Sequence, residues 1–221
     1  MLEGAKHCVA TASGMAAVFA ALACMVDAGD RIVASRALFG SCYYIVNEVL
    51  PRFGIESNFV DGADLNQWTE ALKKPAKAVF LETPSNPTLE IIDISKVAEI
   101  AHAAGARVIV DNVFATPILQ RPLEFGADVV MYSTTKHIDG QGRALGGAIL
   151  TNDDPFFEDY LTPFLRHTGP SMSPFNAWIM LKGLETLSIR IERHCQNAHV
   201  IAEFLATHKN VKTVLYPGLD S

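Results

Sequence analysis

The chain has 221 residues, of which 49% are hydrophobic and 19% are charged. This length allows one large domain or two small ones, and the composition excludes an intrinsically disordered chain. The formal net charge of −6 argues against nucleic acid as a partner and suits a cytoplasmic protein. No membrane partner is expected, because the longest apolar run, over 15–26, is shorter than the roughly 20 residues that span a bilayer.

The cysteines offer no metal or redox motif, since no two of them form a C-x-x-C pair. We therefore expect no metal site. A chain of this size and apolarity does not need disulfides for stability, so we expect all of its thiols to be reduced. The four positions are Cys8, Cys24, Cys42 and Cys195.

Short apolar runs alternate with helical patterns along the first 151 residues. Strands are predicted over 7–10, 31–35, 55–60, 77–81, 107–111, 128–132 and 144–151. Helices are predicted over 14–28, 40–53, 64–72 and 94–104. The alternation predicts a mostly parallel, seven-strand-type α/β sheet, with crossover helices on both of its faces. The continuous apolar character of the strands is typical of a sheet that is buried on both sides.

The pattern changes after residue 151. Ser173 followed by Pro174 predicts a helix start, and helical periodicity then continues over 175–208, with a bend expected at Gly183. A further strand is predicted over 211–216. This change predicts a large domain over 1–180, followed over 181–221 by a long connecting helix and the start of a small C-terminal domain.

Ligands of such sheets bind beyond the carboxyl ends of the strands, so motifs at these ends are candidate site elements. The first is Ser13-Gly14-Met15, where a helix begins after a strand. Backbone N–H groups and the helix dipole favour an anion at a helix N-terminus. An ordinary N-cap has the same residues, so both interpretations stay open.

Three more motifs follow predicted strands. Asp111 ends a buried strand, where a carboxylate needs a partner such as a metal, a ribose or a protonated ring nitrogen. Ser133, Thr135 and Lys136 follow another strand, and a partly desolvated lysine is a usable nucleophile. Asn86 lies in a turn with prolines on both sides. Each residue alone also fits an ordinary role, as a capping Asp, a surface Lys or a turn Asn.

Together these groups match the needs of a pyridoxal phosphate site: a lysine, a carboxylate for the ring nitrogen and a phosphate cup. The chain also resembles the transsulfuration, or Cys/Met-metabolism, family of pyridoxal-phosphate enzymes. The resemblance covers nearly the whole chain in order and rests on the stretches ATASGMAA, ALFGSCY, ETPSNPTLE, VIVDNVFATP, YSTTKHIDGQG and SPFNAWIMLKGLETL. It implies the aspartate-aminotransferase-like fold for the large domain.

The resemblance also implies residue roles around the cofactor. Lys136 matches the Schiff-base lysine and is the expected catalytic residue. Asp111 matches the partner of the pyridine nitrogen, and Asn86 the residue at the cofactor's phenolic oxygen and the substrate carboxylate. Phe39 lies where many relatives carry a Tyr that stacks on the ring; Phe can stack in the same way but lacks the hydroxyl that proton transfer by that Tyr would use. The phosphate cup implied by the resemblance is Ser13, Gly14, Met15, Ser133 and Thr135.

The implied activity is γ-replacement on an O-acylhomoserine with sulfide, to give homocysteine in methionine biosynthesis. The stretches DGQGRALGG and RHTGPSMSPFNAW are most similar to the O-succinylhomoserine sulfhydrylase branch of the family. Cystathionine γ-synthase, cystathionine γ-lyase and methionine γ-lyase activities stay open. A nicotinamide-dependent α/β enzyme is a further alternative, although no G-x-G-x-x-G motif follows the first predicted strand.

Family members are much longer than this chain. The resemblance therefore implies that an N-terminal arm and most of a C-terminal domain are missing. The chain is expected to be the cofactor domain of a homo-oligomer, a tetramer built as a dimer of dimers. An inactive fragment of such an enzyme is the alternative.

Overall fold

A computed structural model describes residues 2–219 of the chain. Its strands are β1 His7–Thr11, β2 Arg31–Ser35, β3 Glu56–Val60, β4 Ala78–Glu82, β5 Arg107–Asp111, β6 Val129–Ser133 and β7 Gly147–Thr151. They form one seven-stranded sheet within the described residues, in the order β1-β7-β6-β5-β4-β2-β3. The strands from β2 to β6 pair in parallel, and β7 pairs antiparallel with both β6 and β1. The mostly parallel sheet predicted from the sequence is confirmed.

Helices connect the strands and cover both faces of the sheet. The α-helices are α1 Gly14–Ala23, α2 Gly40–Tyr44, α3 Leu65–Ala71, α4 Ile94–Ala103, α5 Thr116–Leu119, α6 Thr162–Thr168, α7 Pro174–Leu184 and α8 Leu187–Ala206. Side chains at the starts of several helices accept backbone N–H groups that have no partner inside the helix. Asp64 caps α3, Asp93 caps α4 and Ser173 caps α7 in this way.

The core lies in two layers, one on each face of the sheet. Successive strand residues point to opposite faces, so Ile32 packs in one layer and Val33 in the other. Helix α1 contributes to the first layer, where Leu22 is fully buried. The second layer holds Trp68 of α3, which is also fully buried. Every residue of β2 and β4 is buried, as the continuous apolar runs predict for a sheet covered on both sides.

The long helix predicted over 175–208 is interrupted. It consists of α7 and α8, separated by Glu185 and Thr186. The Gly183 carbonyl accepts the Thr186 N–H at 3.3 Å and Arg190 Nη2 at 2.8 Å, so it is taken out of the regular helical ladder. The break therefore follows two residues after the glycine at which a bend is predicted.

Other sequence predictions differ from the structure in detail. The strand predicted over 211–216 is wrong: no strand follows β7 in the part of the chain that the structure describes. Its β-branched residues favour a strand, but a strand needs a hydrogen-bonded neighbour, and Leu215 is 77% exposed. Helix α1 ends at Ala23 rather than residue 28, and a turn in which Asp27 accepts the Asp30 N–H follows before β2 begins.

The helix predicted over 40–53 changes type along its length. Only α2 is α-helical, and a π-helical turn over Ile45–Val49 and a 3-10 turn over Leu50–Phe53 follow it.

The helical segment over 156–168 is missed by sequence analysis, because Pro155 and Pro163 resemble helix breakers although proline is tolerated in a first helical turn. The domain boundary between 180 and 181 stays a prediction, and it falls inside α7.

Within residues 2–219, no helix combines the length and the apolarity that a bilayer crossing requires.

Candidate active site

A cavity of about 670 Å³ opens at the carboxyl ends of β4, β5 and β6. This is the edge at which the sequence places the candidate motifs, and the parallel strands bring those motifs together. All of the residues predicted for the cofactor site line this one cavity. They are Ser13, Gly14, Met15, Phe39, Asn86, Asp111, Ser133, Thr135 and Lys136.

The start of α1 forms one wall of the cavity. Ser13 is the N-cap, and its Oγ accepts the N–H of Ala16 at 3.1 Å. Gly14 packs tightly against the end of β6, since a Cβ added there would lie 2.4 Å from Ser133 Cβ. Two small residues thus bring a helix N-terminus and a strand end into contact. The outward N–H groups and the helix dipole make this corner favourable for a phosphate.

The antiparallel strand β7 supports this wall from behind. Gly147 lies between Thr11 and Ser133 in the strand register. A Cβ on Gly147 would lie 2.3 Å from the Ser13 carbonyl oxygen, so only glycine allows this approach. Gly146 is equally confined, since a Cβ added there would lie 2.4 Å from Thr134 Oγ1.

The segment after β6 carries the candidate lysine. Thr135 Oγ1 donates to the Gly146 carbonyl and accepts the Gly146 N–H, both at 3.2 Å, so this hydroxyl is already engaged with the residue that precedes β7. Lys136 is exposed at the cavity. Within residues 2–219, no hydrogen bond or ion pair involves its Nζ. The amine is therefore available to a ligand.

Helix α8 anchors the same segment through Arg190. Its Nη1 donates to the His137 carbonyl at 2.7 Å, and its Nη2 donates to the carbonyls of Ile138 at 3.3 Å and Gly183 at 2.8 Å. The backbone immediately after Lys136 is thus fixed by a guanidinium group. Sequence analysis misses this residue, because nothing in the chain relates position 190 to position 137.

Asp111 ends β5 and is 5% exposed. Its Oδ1 accepts the Val113 N–H at 3.0 Å, and its Oδ2 lies 3.8 Å from the Cys42 thiol, which donates to it. Burial raises the pKa of Asp111 from 3.8 to about 6, and these two hydrogen bonds offset the effect only in part. No salt bridge among the described residues reaches this carboxylate, so a bound cation would relieve its burial.

Glu82 is a second buried carboxylate in the cavity, and it is 3% exposed. It ends β4 in register with Asp111 on the neighbouring strand. Burial and the charge of Asp111 raise the pKa of Glu82 from 4.5 to about 7, against two backbone hydrogen bonds that lower it. Sequence analysis assigns Glu82 no role, although an acid that ends a wholly apolar strand is a detectable signal.

Phe39 and Asn86 lie on the outer wall. Phe39 is 39% exposed and precedes α2, and Asn86 is exposed in the turn after β4. Cavity-lining residues not predicted from the sequence include Val18, Met131 and His137. The described residues contain no cluster of His, Cys, Asp and Glu side chains that would hold a metal ion.

The residues present fit pyridoxal phosphate. Its phosphate matches the helix start at Ser13 and Gly14, its aldehyde matches the unpaired amine of Lys136, and its protonated ring nitrogen matches Asp111. The carboxylate provides the most direct test of this fit. Asp111 is buried at the cavity wall without a cationic partner, and a pyridinium nitrogen in the cavity would supply that partner.

Comparisons with known proteins agree with this fit. The family model described as "Cys/Met metabolism PLP-dependent enzyme" matches residues 1–221. An O-succinylhomoserine sulfhydrylase of Mycobacterium tuberculosis is 57% identical over 221 residues, covering 100% of this chain and 54% of the relative. An L-methionine gamma-lyase of Fusobacterium nucleatum subsp. polymorphum is 40% identical over 221 residues, covering 100% of this chain and 56% of the relative.

A solved structure described as "Crystal structure of metB from Corynebacterium glutamicum" has a TM-score of 0.94 and 42% identity. The match covers 99% of this chain and 56% of that structure's chain. The chain thus spans about half the length of the proteins it matches. The family match includes every candidate site residue, and the nicotinamide alternative is wrong. The chain belongs to the family of pyridoxal-phosphate-dependent enzymes of Cys/Met metabolism.

Proposed function

We propose that the protein containing this chain catalyses γ-replacement on an O-acylhomoserine, O-succinylhomoserine in the first instance, with sulfide as the acceptor and homocysteine as the product. The observation that carries the proposal is the meeting of Lys136, Asp111 and the start of α1 in one cavity. The 57% identity to an O-succinylhomoserine sulfhydrylase supports the choice of substrate.

The residues of the cavity divide the work between binding and proton transfer. Ser13 Oγ and the N–H groups at the start of α1 bind the phosphate. Asp111 holds a proton at the ring nitrogen, and this retained positive charge is what makes the bound cofactor an electron sink for a substrate carbanion. Lys136 Nζ would hold the cofactor covalently, and its amine, when free, would move protons at the substrate's α and β carbons.

The first experiment tests the cofactor site directly. The purified chain is mixed with pyridoxal phosphate, reduced with borohydride, digested, and mapped by mass spectrometry. A single adduct on Lys136 is expected, with none in Lys136→Ala. The exposed Lys77 precedes the amino end of β4, opposite the edge at which the cavity opens, and does not line the cavity. It provides the control variant Lys77→Ala, whose adduct should match that of the parent. Adducts scattered over several lysines would contradict the proposed site.

The second experiment tests the reaction. Turnover of O-succinylhomoserine is compared with sulfide and with cysteine as acceptors, and methionine is offered alone as a lyase substrate. The proposal expects homocysteine from the sulfide reaction as the main product. Cystathionine from cysteine would indicate a synthase, and release of methanethiol from methionine would indicate a γ-lyase, in line with the 40% identity to an L-methionine gamma-lyase.

A second candidate is that this chain alone is an inactive cofactor-domain fragment. The observation that favours it is the span of the chain, which covers 54% of the sulfhydrylase it matches. This candidate predicts that the 221-residue chain shows no turnover, whether or not a Lys136 adduct forms. A longer protein that contains this chain and restores turnover would support this candidate.

We also propose a cytoplasmic homotetramer built as a dimer of dimers. Large apolar side chains exposed on α7 and α8, such as Phe175, Trp178 and Phe204, support burial in a larger assembly. Sedimentation of the protein over a range of concentrations tests the assembly state.

A further inference from the structure

We propose that Glu82 is a positioning residue, which holds the Phe39 segment and the Asn86 turn together and so sets the outer wall of the cavity. This inference rests on the proposed function, because that wall matters only if the cavity binds a cofactor. It adds a role to a carboxylate that neither binds the phosphate nor pairs with the ring nitrogen.

The geometry assigns one oxygen of Glu82 to each segment. Oε2 accepts the Phe39 N–H at 2.5 Å, and Oε1 accepts the Asn86 N–H at 3.0 Å. These two segments follow different strands, since Phe39 comes after β2 and Asn86 comes after β4. The carboxylate is therefore the direct bridge between them.

The base of this bridge is rigid. Glu82 is the last residue of β4, which is hydrogen-bonded to β2 on one side and to β5 on the other. Its side chain is 3% exposed, so water does not compete for its oxygens. Phe39 is the N-cap residue of α2 and its side chain does not cap the helix, so Glu82 is the side chain that holds the backbone at this point. Fixing the backbone at Phe39 and Asn86 also limits where their side chains lie against a bound ring.

The bridge requires a carboxylate rather than an amide. Two N–H donors need two acceptor oxygens, and an ionised glutamate supplies both. A glutamine keeps one oxygen and turns an NH₂ group toward the other N–H, which loses one bond and places two donors face to face. A protonated glutamate has the same defect. Glu82→Gln therefore disrupts the bridge while leaving the volume of the side chain almost unchanged.

The ionisation of Glu82 is coupled to the binding of the cofactor ring at Asp111. The group that faces Glu82 from β5 is Asp111, and the Cys42 thiol faces the same pair from α2. The repulsion from Asp111 helps to raise the pKa of Glu82 to about 7. A cation paired with Asp111 would weaken that repulsion and favour the ionised bridge. Binding of the ring and closure of the bridge thus reinforce each other.

The test compares Glu82→Gln with the parent and with the control Glu90→Gln. Glu90 lies in the same connection, and within the described residues its side chain makes no hydrogen bond. Pyridoxal phosphate binding is titrated at pH 6 and pH 8, and visible circular dichroism reports how the bound ring is held. Glu82→Gln should raise the dissociation constant at pH 8 about tenfold, the fold-change of one lost hydrogen bond to a charged group. It should also weaken the dichroism and still give the Lys136 adduct, while Glu90→Gln matches the parent.

The pH comparison separates positioning from a general loss of stability. The parent should bind more weakly at pH 6 than at pH 8, and part of this difference should vanish in Glu82→Gln, which has no proton to gain. A Glu82→Gln variant with the dissociation constant, dichroism and pH response of the parent would overturn the proposal.

A second measurement tests the bridge without any variant, in case Glu82→Gln does not fold. Amide hydrogen exchange of the unsubstituted chain should show protection of the Phe39 and Asn86 N–H groups at pH 8. Exchange at the rates of unprotected amides would refute the bridge. If neither the unsubstituted chain nor a longer protein that contains it gives a Lys136 adduct, the proposed function fails, and the exchange result still decides whether Glu82 holds the two segments.

Discussion

Replacement of Asp111 by asparagine should stabilise the cofactor-free chain at pH 8. The pKa of Asp111 is raised by burial from 3.8 to about 6, so the folded state prefers the neutral acid. At about 1.4 kcal/mol per pKa unit, the ionised carboxylate costs about 3 kcal/mol of unfolding free energy at pH 8. A neutral amide at this position would avoid that cost, and its carbonyl oxygen can still accept the Val113 N–H that Asp111 accepts now.

The sign of the pH dependence follows from linkage. As pH rises, the unfolded state releases the Asp111 proton near 3.8 and the folded state releases it near 6, so stability is lost between these values and stays lost above them. The gain in Asp111→Asn should therefore be about 3 kcal/mol at pH 8 and roughly half of that at pH 5. Glu82 adds to the gain, because loss of the Asp111 charge lowers the pKa of Glu82.

Urea denaturation of the parent and of Asp111→Asn at both pH values measures this difference. The exposed Asp27 provides the control, since Asp27→Asn should change stability by less than about 0.5 kcal/mol. Equal or lower stability of Asp111→Asn at pH 8 would refute the reasoning that the carboxylate is buried at a cost. The affinity for pyridoxal phosphate should fall in Asp111→Asn, although the stability of the cofactor-free chain rises, because a neutral amide cannot hold a proton at the ring nitrogen.

Three further substitutions test the phosphate corner at the start of α1, the packing of the core and the cap of α4. Gly14→Ala places a Cβ 2.8 Å from the Ser133 Cα, so it should cost about 1–3 kcal/mol and weaken pyridoxal phosphate binding, as measured by denaturation and titration. Trp68→Ala empties a fully buried site and leaves the Gly62 carbonyl without its donor, so urea denaturation should show a loss of about 3–5 kcal/mol. Asp93→Ala removes the cap of α4 and should lower stability by about 1 kcal/mol in the same assay, and an unchanged midpoint would contradict the capping role.

Much of the fold is predictable because the signals are local. The β2 and β4 strands are buried throughout, and Asp64 and Ser173 stand where the structure uses them as caps. The strand predicted over 211–216 fails because its formation depends on a neighbour that is distant in sequence, and local pattern carries no information about that neighbour.

The site residues likewise fall into those that the sequence predicts and those that depend on contacts between distant parts of the chain. The parallel arrangement alone places Asp111 and Lys136 at one edge of the sheet, so their meeting in one cavity follows from the sequence. The roles of Glu82 and Arg190 depend on contacts with Phe39 and His137, which lie 43 and 53 positions away in the chain. Their partners are set by strand order and helix packing, which the composition of a short segment does not encode.

The position of β7 governs the order in which the cavity is assembled during synthesis. β1 is translated long before β7, yet β7 is its hydrogen-bonded neighbour in the sheet, and Thr11 pairs with Gly147. Closing so long a loop is slow compared with forming a helix, so the nascent chain carries an unpaired β1 until residue 151 has emerged. The phosphate corner at Ser13 consequently forms only after β7 has been made, although Ser13 itself is translated well before β7.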